Sequence, residues 1–100
     1  MENERDLQEA VNKDLRKLGI KFLHLEAGRG SRNRTHRSGF PDLVIFSGGG
    51  RSFFVELKWK GGRLRPDQEA FQEWAWASKY DFYVVRSWVE WELVKKENGL

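Results

Sequence analysis

One hundred residues leave room for one small domain and not for a second core. Cysteine is absent and histidine occurs only twice, which excludes a disulfide framework and thiolate metal sites and argues against zinc. The net charge is only +3 and no membrane-length apolar run or signal-peptide pattern occurs, so the chain reads as soluble, intracellular and cytoplasmic.

Apolar residues at Leu7, Ala10, Val11, Leu15 and Leu18 predict a first helix over about 3–18, with Gly19 as its stop. At 100° per residue Glu4 falls within about 60° of Leu7, on the inward side, whereas Glu9 falls about 200° away, toward solvent. A strand is expected over 20–25. The Gly28-to-Gly39 stretch that follows carries Arg29, Arg32, Arg34 and Arg37 with no acidic residue. Pro41 suits the first position of a strand, and Asp42-Leu-Val-Ile-Phe46 follows it as a second apolar run. Ser47-Gly-Gly-Gly-Arg51 reads as a turn to a third run, Ser52-Phe-Phe-Val-Glu-Leu-Lys58, so the two strands should form an antiparallel hairpin. Alternation puts Phe53, Val55, Leu57 and Trp59 on a packed face, and Phe54, Glu56 and Lys58 on the other. Pairing then brings Asp42 close to Glu56.

Pro66 at the first helical position, with Asp67 and Glu69 beside it, predicts a second helix over 66–79. Its inward stripe would be Phe71, Trp74, Ala75 and Ser78, extended by Gln68 toward the end of the Glu56 strand. A strand over 82–86 follows, then a capping box, Ser87-Trp-Val-Glu90, opening a last helix with Trp88 and Trp91 on one side. The order is α-β-β-β-α-β-α: an α/β domain with a mixed sheet flanked by helices.

Two carboxylates meeting at one point repel each other unless one is protonated or a cation lies between them. A hard divalent ion such as Mg²⁺ or Mn²⁺ suits oxygen donors and can acidify a water for attack on phosphorus. The Lys58 ammonium, on the same face as Glu56, would offset charge developing on the phosphate. Lys60, Arg63 and Arg65 follow the third strand, so basic segments flank both sides of this point and suit a nucleic-acid backbone. Other readings of these features are an ordinary surface Glu-Lys pair, a solvated basic loop, and, for Glu4, a favourable charge in a helix's first turn.

Together these residues resemble the PD-(D/E)xK nuclease superfamily, and more narrowly its VRR-NUC (virus-type replication-repair nuclease) family, over about Glu4 to Arg86. Glu4-Arg-Asp-Leu-Gln8 is similar to that family's opening helix motif and Gly39-Phe-Pro-Asp-Leu43 to its G-x-PDL motif. Phe54-Val-Glu-Leu-Lys58 is similar to its ExK strand, and Arg65-Pro-Asp-Gln68 to its S-P-x-Q helix start. The resemblance implies a single restriction-endonuclease-like nuclease domain over 1–100 in which Glu4, Asp42, Glu56, Lys58 and Gln68 serve catalysis. Asp42, Glu56 and the Leu57 backbone carbonyl would hold Mg²⁺ or Mn²⁺, and Arg29, Arg32, Arg34, Arg37, Lys60, Arg63 and Arg65 would contact DNA. Arg65 departs from the pattern, since it stands where a small capping residue is usual and has no acceptor to offer helix amides. By resemblance to small junction resolvases, the expected activity is a homodimer cutting branched DNA such as four-way (Holliday) junctions. The alternatives are a flap- or nick-directed nuclease, a DNA-binding module without catalysis, and a nuclease subunit of a larger assembly.

Overall fold

The structure, a computed structural model, describes residues 1–25 and 39–100, so Arg29, Arg32, Arg34 and Arg37 lie outside the described residues. Helix α1 (Glu4–Lys17) begins where the Asn3 side chain accepts the Asp6 N–H at 2.9 Å, which satisfies one of the free amides of the first turn. Leu7, Val11 and Leu15 form its buried stripe, and Gly19, at φ +71°, ends it. Leu18, expected on the apolar face, is 47% exposed because the helix has already stopped.

Strands β1 (Lys21–His24), β2 (Leu43–Gly48) and β3 (Arg51–Leu57) pair antiparallel in sequence order, and β4 (Asp81–Val85) lies parallel to β3. Helix α2 (Pro66–Ala77) provides the crossover between β3 and β4, and helix α3 (Trp88–Glu97) follows β4. The expected element order therefore holds, with ends shifted by a residue or two. Gly49 and Gly50 make the hairpin turn with φ of +61° and +78°, the left-handed pair that a two-residue loop between twisted strands requires.

The sheet is covered on both faces with different chemistry. On one face Leu43, Ile45, Phe53, Val55, Leu57 and Val85 pack against Leu7, Val11 and Leu15 of α1 and Trp91 and Val94 of α3. Each such side chain removed from water stabilises the fold by roughly 1.5–3 kcal/mol. On the other face the contacts are aromatic: Phe71 of α2 lies 5.2 Å from Phe54 and 6.0 Å from Phe82, ring to ring. Only Gln68 and Ala75 of α2 are fully buried. Trp74 and Ser78, expected to face inward, are exposed; Trp74 sits at the margin, 5.5 Å from the Tyr80 ring. Trp76 is 55% exposed.

Of the two tryptophans expected on one side of the last helix, Trp91 is fully buried and Trp88 half-buried. The Trp91 indole N–H donates to the Asp14 carboxylate at 2.9 Å, and the Lys95 ammonium donates to the same oxygen at 2.6 Å. Burial opposes the charge on Asp14, but the hydrogen bonds from Lys95 and Trp91 outweigh it and hold the carboxyl below its ordinary value. This pair of contacts locks α3 to α1. Replacing Asp14 with Ala should cost about 2–4 kcal/mol of stability, because an indole N–H and a largely buried ammonium lose their shared acceptor. A depressed folded-state value means that this contribution is present at neutral pH and is lost in acid, so urea unfolding should show the gap between wild type and Asp14→Ala closing below about pH 4.

Candidate active site

The hairpin register sets the centre of the site. Leu43 pairs with Val55, so one step further along the ladder Asp42 stands opposite Glu56. Asp42 is pinned from both sides: its Oδ2 accepts the Leu57 N–H at 2.7 Å, and its backbone carbonyl accepts the Leu25 N–H at 2.7 Å. Beyond the end of β3 the Lys58 N–H still donates to the Val85 carbonyl at 3.0 Å, which keeps Lys58 in line with the strand.

The segment leading into Asp42 is set against the start of α2. Gly39 has φ +81°, and a Cβ there would stand 2.7 Å from the Asp67 carbonyl carbon, so no larger residue fits this approach. Phe40 then places its ring 4.8 Å from that of Phe71.

Gln68 faces the centre from the first turn of α2. Its Oε1 accepts the Arg65 N–H at 2.9 Å, which turns the amide nitrogen toward Glu56 Oε2 at 3.4 Å. One side chain thus reciprocates the helix cap and touches the buried carboxyl. Arg65 occupies the cap position and has no acceptor, but Asp67 Oδ1 takes the Gln68 N–H at 3.0 Å and the Arg65 Nε at 3.3 Å. The departure at Arg65 is compensated two residues along.

Glu56 is 3% exposed, and its Oε1 has no hydrogen-bond partner among the described residues. Lys58 Nζ lies 4.0 Å from Oε2, an ion pair too long to be a hydrogen bond. Burial first, then the charge of the neighbouring Asp42 and a side-chain hydrogen bond with it, push the Glu56 carboxyl up to about 9; Lys58 pulls the other way and Glu4 adds to the rise. At neutral pH, with no cation present, Glu56 therefore keeps its proton. A buried carboxyl whose proton is shared with a second carboxylate is a donor set that fits a hard divalent ion, which would displace that proton and join the two groups.

Asp42, Glu56, Lys58 and Gln68 thus converge on one point. Glu4, expected on the inward face of α1, is exposed at the first helical position, and among the described residues no three acidic or imidazole side chains come together closely enough to hold one ion. Its charge is nevertheless felt at Glu56. Lys60 and Arg63 are exposed beyond β3, and Arg65 is paired with Asp67 at 3.3 Å. Three contacts were not read from the sequence: the Leu57 amide on Asp42, the close approach of Gly39 to α2, and a bond from Arg86 Nε to the Gly62 carbonyl at 3.3 Å. All three join segments distant in sequence, so no local pattern signals them.

No helix among the described residues is long and apolar enough to cross a membrane. Comparison with curated proteins gave no match. A solved structure described as a VRR_NUC domain shares the fold, with a TM-score of 0.71 and 24% sequence identity over 92% of this chain and 94% of the other. Residues 2–88, which hold every described member of the site, match the VRR-NUC domain family, and the chain belongs to that family of nuclease-type domains.

Proposed function

We propose that residues 1–100 form one Mg²⁺- or Mn²⁺-dependent DNA endonuclease domain that hydrolyses phosphodiester bonds in branched DNA, with four-way junctions as the preferred substrate. The observation that carries this reading is the buried Glu56 carboxyl, with one oxygen unpartnered, facing Asp42 and flanked by Lys58 and Gln68. Asp42, Glu56 and the Leu57 carbonyl would hold the ion, which when bound supplies Lewis-acid activation of water and phosphate. Asp42 is held ready by the Leu57 amide, so its carboxylate needs little rearrangement. Gln68 fixes one oxygen of Glu56 and leaves the other free. Lys58 projects an ammonium to the same point, where it offsets negative charge gathering on a phosphate. Glu4, whose charge reaches Glu56, would be the third acidic group of the site. A homodimer would bring two such sites to one junction; exposed Trp76 on the outer side of α2 is the apolar residue that supports it, since Trp91 belongs to the core.

Cleavage of a four-way junction, a flap, a nicked duplex and a single strand, each with Mg²⁺, Mn²⁺ or EDTA, tests this reading. Wild type should cut with either metal, fastest at the junction, and be silent in EDTA. Glu56→Gln should abolish cutting, and Lys58→Ala should slow it roughly a hundredfold or more. Full turnover by Glu56→Gln would eliminate the assignment. A raised folded-state value also means that Glu56 favours folding in acid and loses that contribution as pH climbs from its unfolded value toward about 9. Metal-free wild type should therefore lose thermal stability between about pH 5 and 9 relative to Glu56→Gln, and excess Mg²⁺ should narrow the difference.

Glu4→Gln should lower the cleavage rate several-fold, because its charge reaches Glu56, whereas Glu9→Gln should leave it unchanged, because Glu9 faces solvent and pairs with Arg5 at 3.3 Å. The reverse result would mean that α1 serves the site through its other face.

The four arginines of the Gly28-to-Gly39 stretch are proposed to bind the DNA backbone. Replacing Arg32, Arg34 and Arg37 with Ala should weaken binding to every DNA sequence alike and reduce the slope of log affinity against log salt by about 0.9 for each lost phosphate contact. An unchanged slope in filter-binding titrations would remove these residues from the interface.

A further inference from the structure

The side chain of Lys58 is only 14% exposed, although it follows the last residue of β3 and precedes a run of exposed basic residues. What covers it is the turn that comes next. The Gly62 N–H donates to the Trp59 carbonyl at 2.9 Å, folding the chain back on itself. A Cβ at Gly62 would stand 3.4 Å from Lys58 Cβ, 3.6 Å from Lys58 Cδ and 3.2 Å from the Trp59 carbonyl oxygen, so the Gly62 backbone lies along the lysine's aliphatic stem.

Trp59, at the start of this turn, packs against the core, and among the described residues the far end of the turn is held by one side chain. Arg86 Nε donates to the Gly62 carbonyl at 3.3 Å, a charged donor on a backbone acceptor 24 residues away. Arg86 is itself well placed to do this. β3 and β4 run parallel with Leu57 beside Val85, and continuing the register by one residue brings Arg86 beside Lys58 on the same face of the sheet. The Arg86 N–H is held by Glu90 Oε1 at 3.4 Å, at the start of α3, so the root of the side chain is tied to a helix cap.

We propose that Arg86 is a positioning residue: through Gly62 it presses the 59–62 turn against the Lys58 stem and so fixes the ammonium beside Glu56. The part assigned to Lys58 in the reaction rests on the nuclease reading; the clamp itself does not. A four-carbon stem has many rotamers, and closing all but a few of them removes an entropy cost that would otherwise fall on the reacting state. The clamp acts on the rate first; the turn it holds also carries Lys60 and leads into Arg63, so a smaller change in DNA affinity accompanies its loss.

Two variants test it. Arg86→Met keeps the apolar part of the side chain and removes the donor; Gly62→Val leaves Arg86 intact and forces the turn off the lysine. Brief acylation with an amine-reactive acetyl ester, read by mass spectrometry, should show Lys58 labelling rising several-fold relative to Lys13 and Lys17 of α1 within the same molecule in both variants, and Arg86→Lys should restore part of the protection. This readout needs no catalysis, so it stands even if the wild-type chain cuts nothing. Where cleavage is measured, kcat should fall about tenfold in both variants, a larger change than any in KM. Unchanged Lys58 labelling in both variants would overturn the proposal. So would loss of DNA affinity with a shallower salt slope in Arg86→Met alone, which would mean that the guanidinium meets a phosphate directly.

Discussion

The structure turns on one unfavourable contact, the burial of the Glu56 carboxyl directly beside Asp42. Left alone, that arrangement is relieved by a proton, and burial raises the Glu56 value to about 9 accordingly. Everything around the pair manages it without cancelling it. The Leu57 amide satisfies Asp42, Gln68 satisfies one oxygen of Glu56, and Lys58 stands 4.0 Å away, close enough to reduce the repulsion and too far to neutralise it. The second oxygen of Glu56 is left over. A side chain kept for packing alone would gain stability by being Gln or Leu at this position, so the buried acid is a cost that packing does not explain.

Holding such a pair needs rigid supports from several parts of the chain, and the two faces of the sheet supply them differently. The aliphatic face, sealed by α1 and α3 and tied by Asp14 to Trp91 and Lys95, fixes the strands. The aromatic face fixes α2, and α2 delivers Gln68. The start of α2 does three things within four residues: Arg65 offers its N–H to Gln68, Asp67 replaces the missing cap acceptor, and the Asp67 backbone receives Gly39. Helix cap, site amide and the entry to Asp42 are therefore one structural unit, and movement of any of them displaces the others.

Most of the fold was legible because it rests on short-range patterns. Alternation in 52–58 gave the packed and polar faces of β3, the glycine turn gave the hairpin, and the hairpin gave the meeting of Asp42 and Glu56. The position of Gln68 followed from helical spacing with Phe71. What was misread depended on contacts far apart in the chain. Trp91 has an acceptor in Asp14, 77 residues away, and nothing near Trp91 in sequence announces it. Trp74 lies on the inward phase of α2 yet is exposed, because the helix covers only part of the sheet. Glu4 shows a related limit: its phase was read toward the interior, but a residue at the first turn of a helix can overhang the core rather than enter it. Its influence on Glu56 is electrostatic and acts through space, where phase alone does not decide.

The proposed function gives the surplus carboxyl oxygen a consequence for the order of events. Two carboxylates and one carbonyl are a sparse donor set for Mg²⁺, which prefers six oxygens and gives up water reluctantly. In the free protein the ion must also displace a proton from Glu56, so its binding near neutral pH is weakened by competition. A DNA phosphate at the same point adds an oxygen donor and negative charge, and Lys58 lies where it can meet that phosphate. On that reading ion and DNA would strengthen one another's binding, and the coupling would be reciprocal. On the proposed function, a site that tolerates its own repulsion in the resting state would assemble only when substrate is present, which would restrain a nuclease built on so small a scaffold.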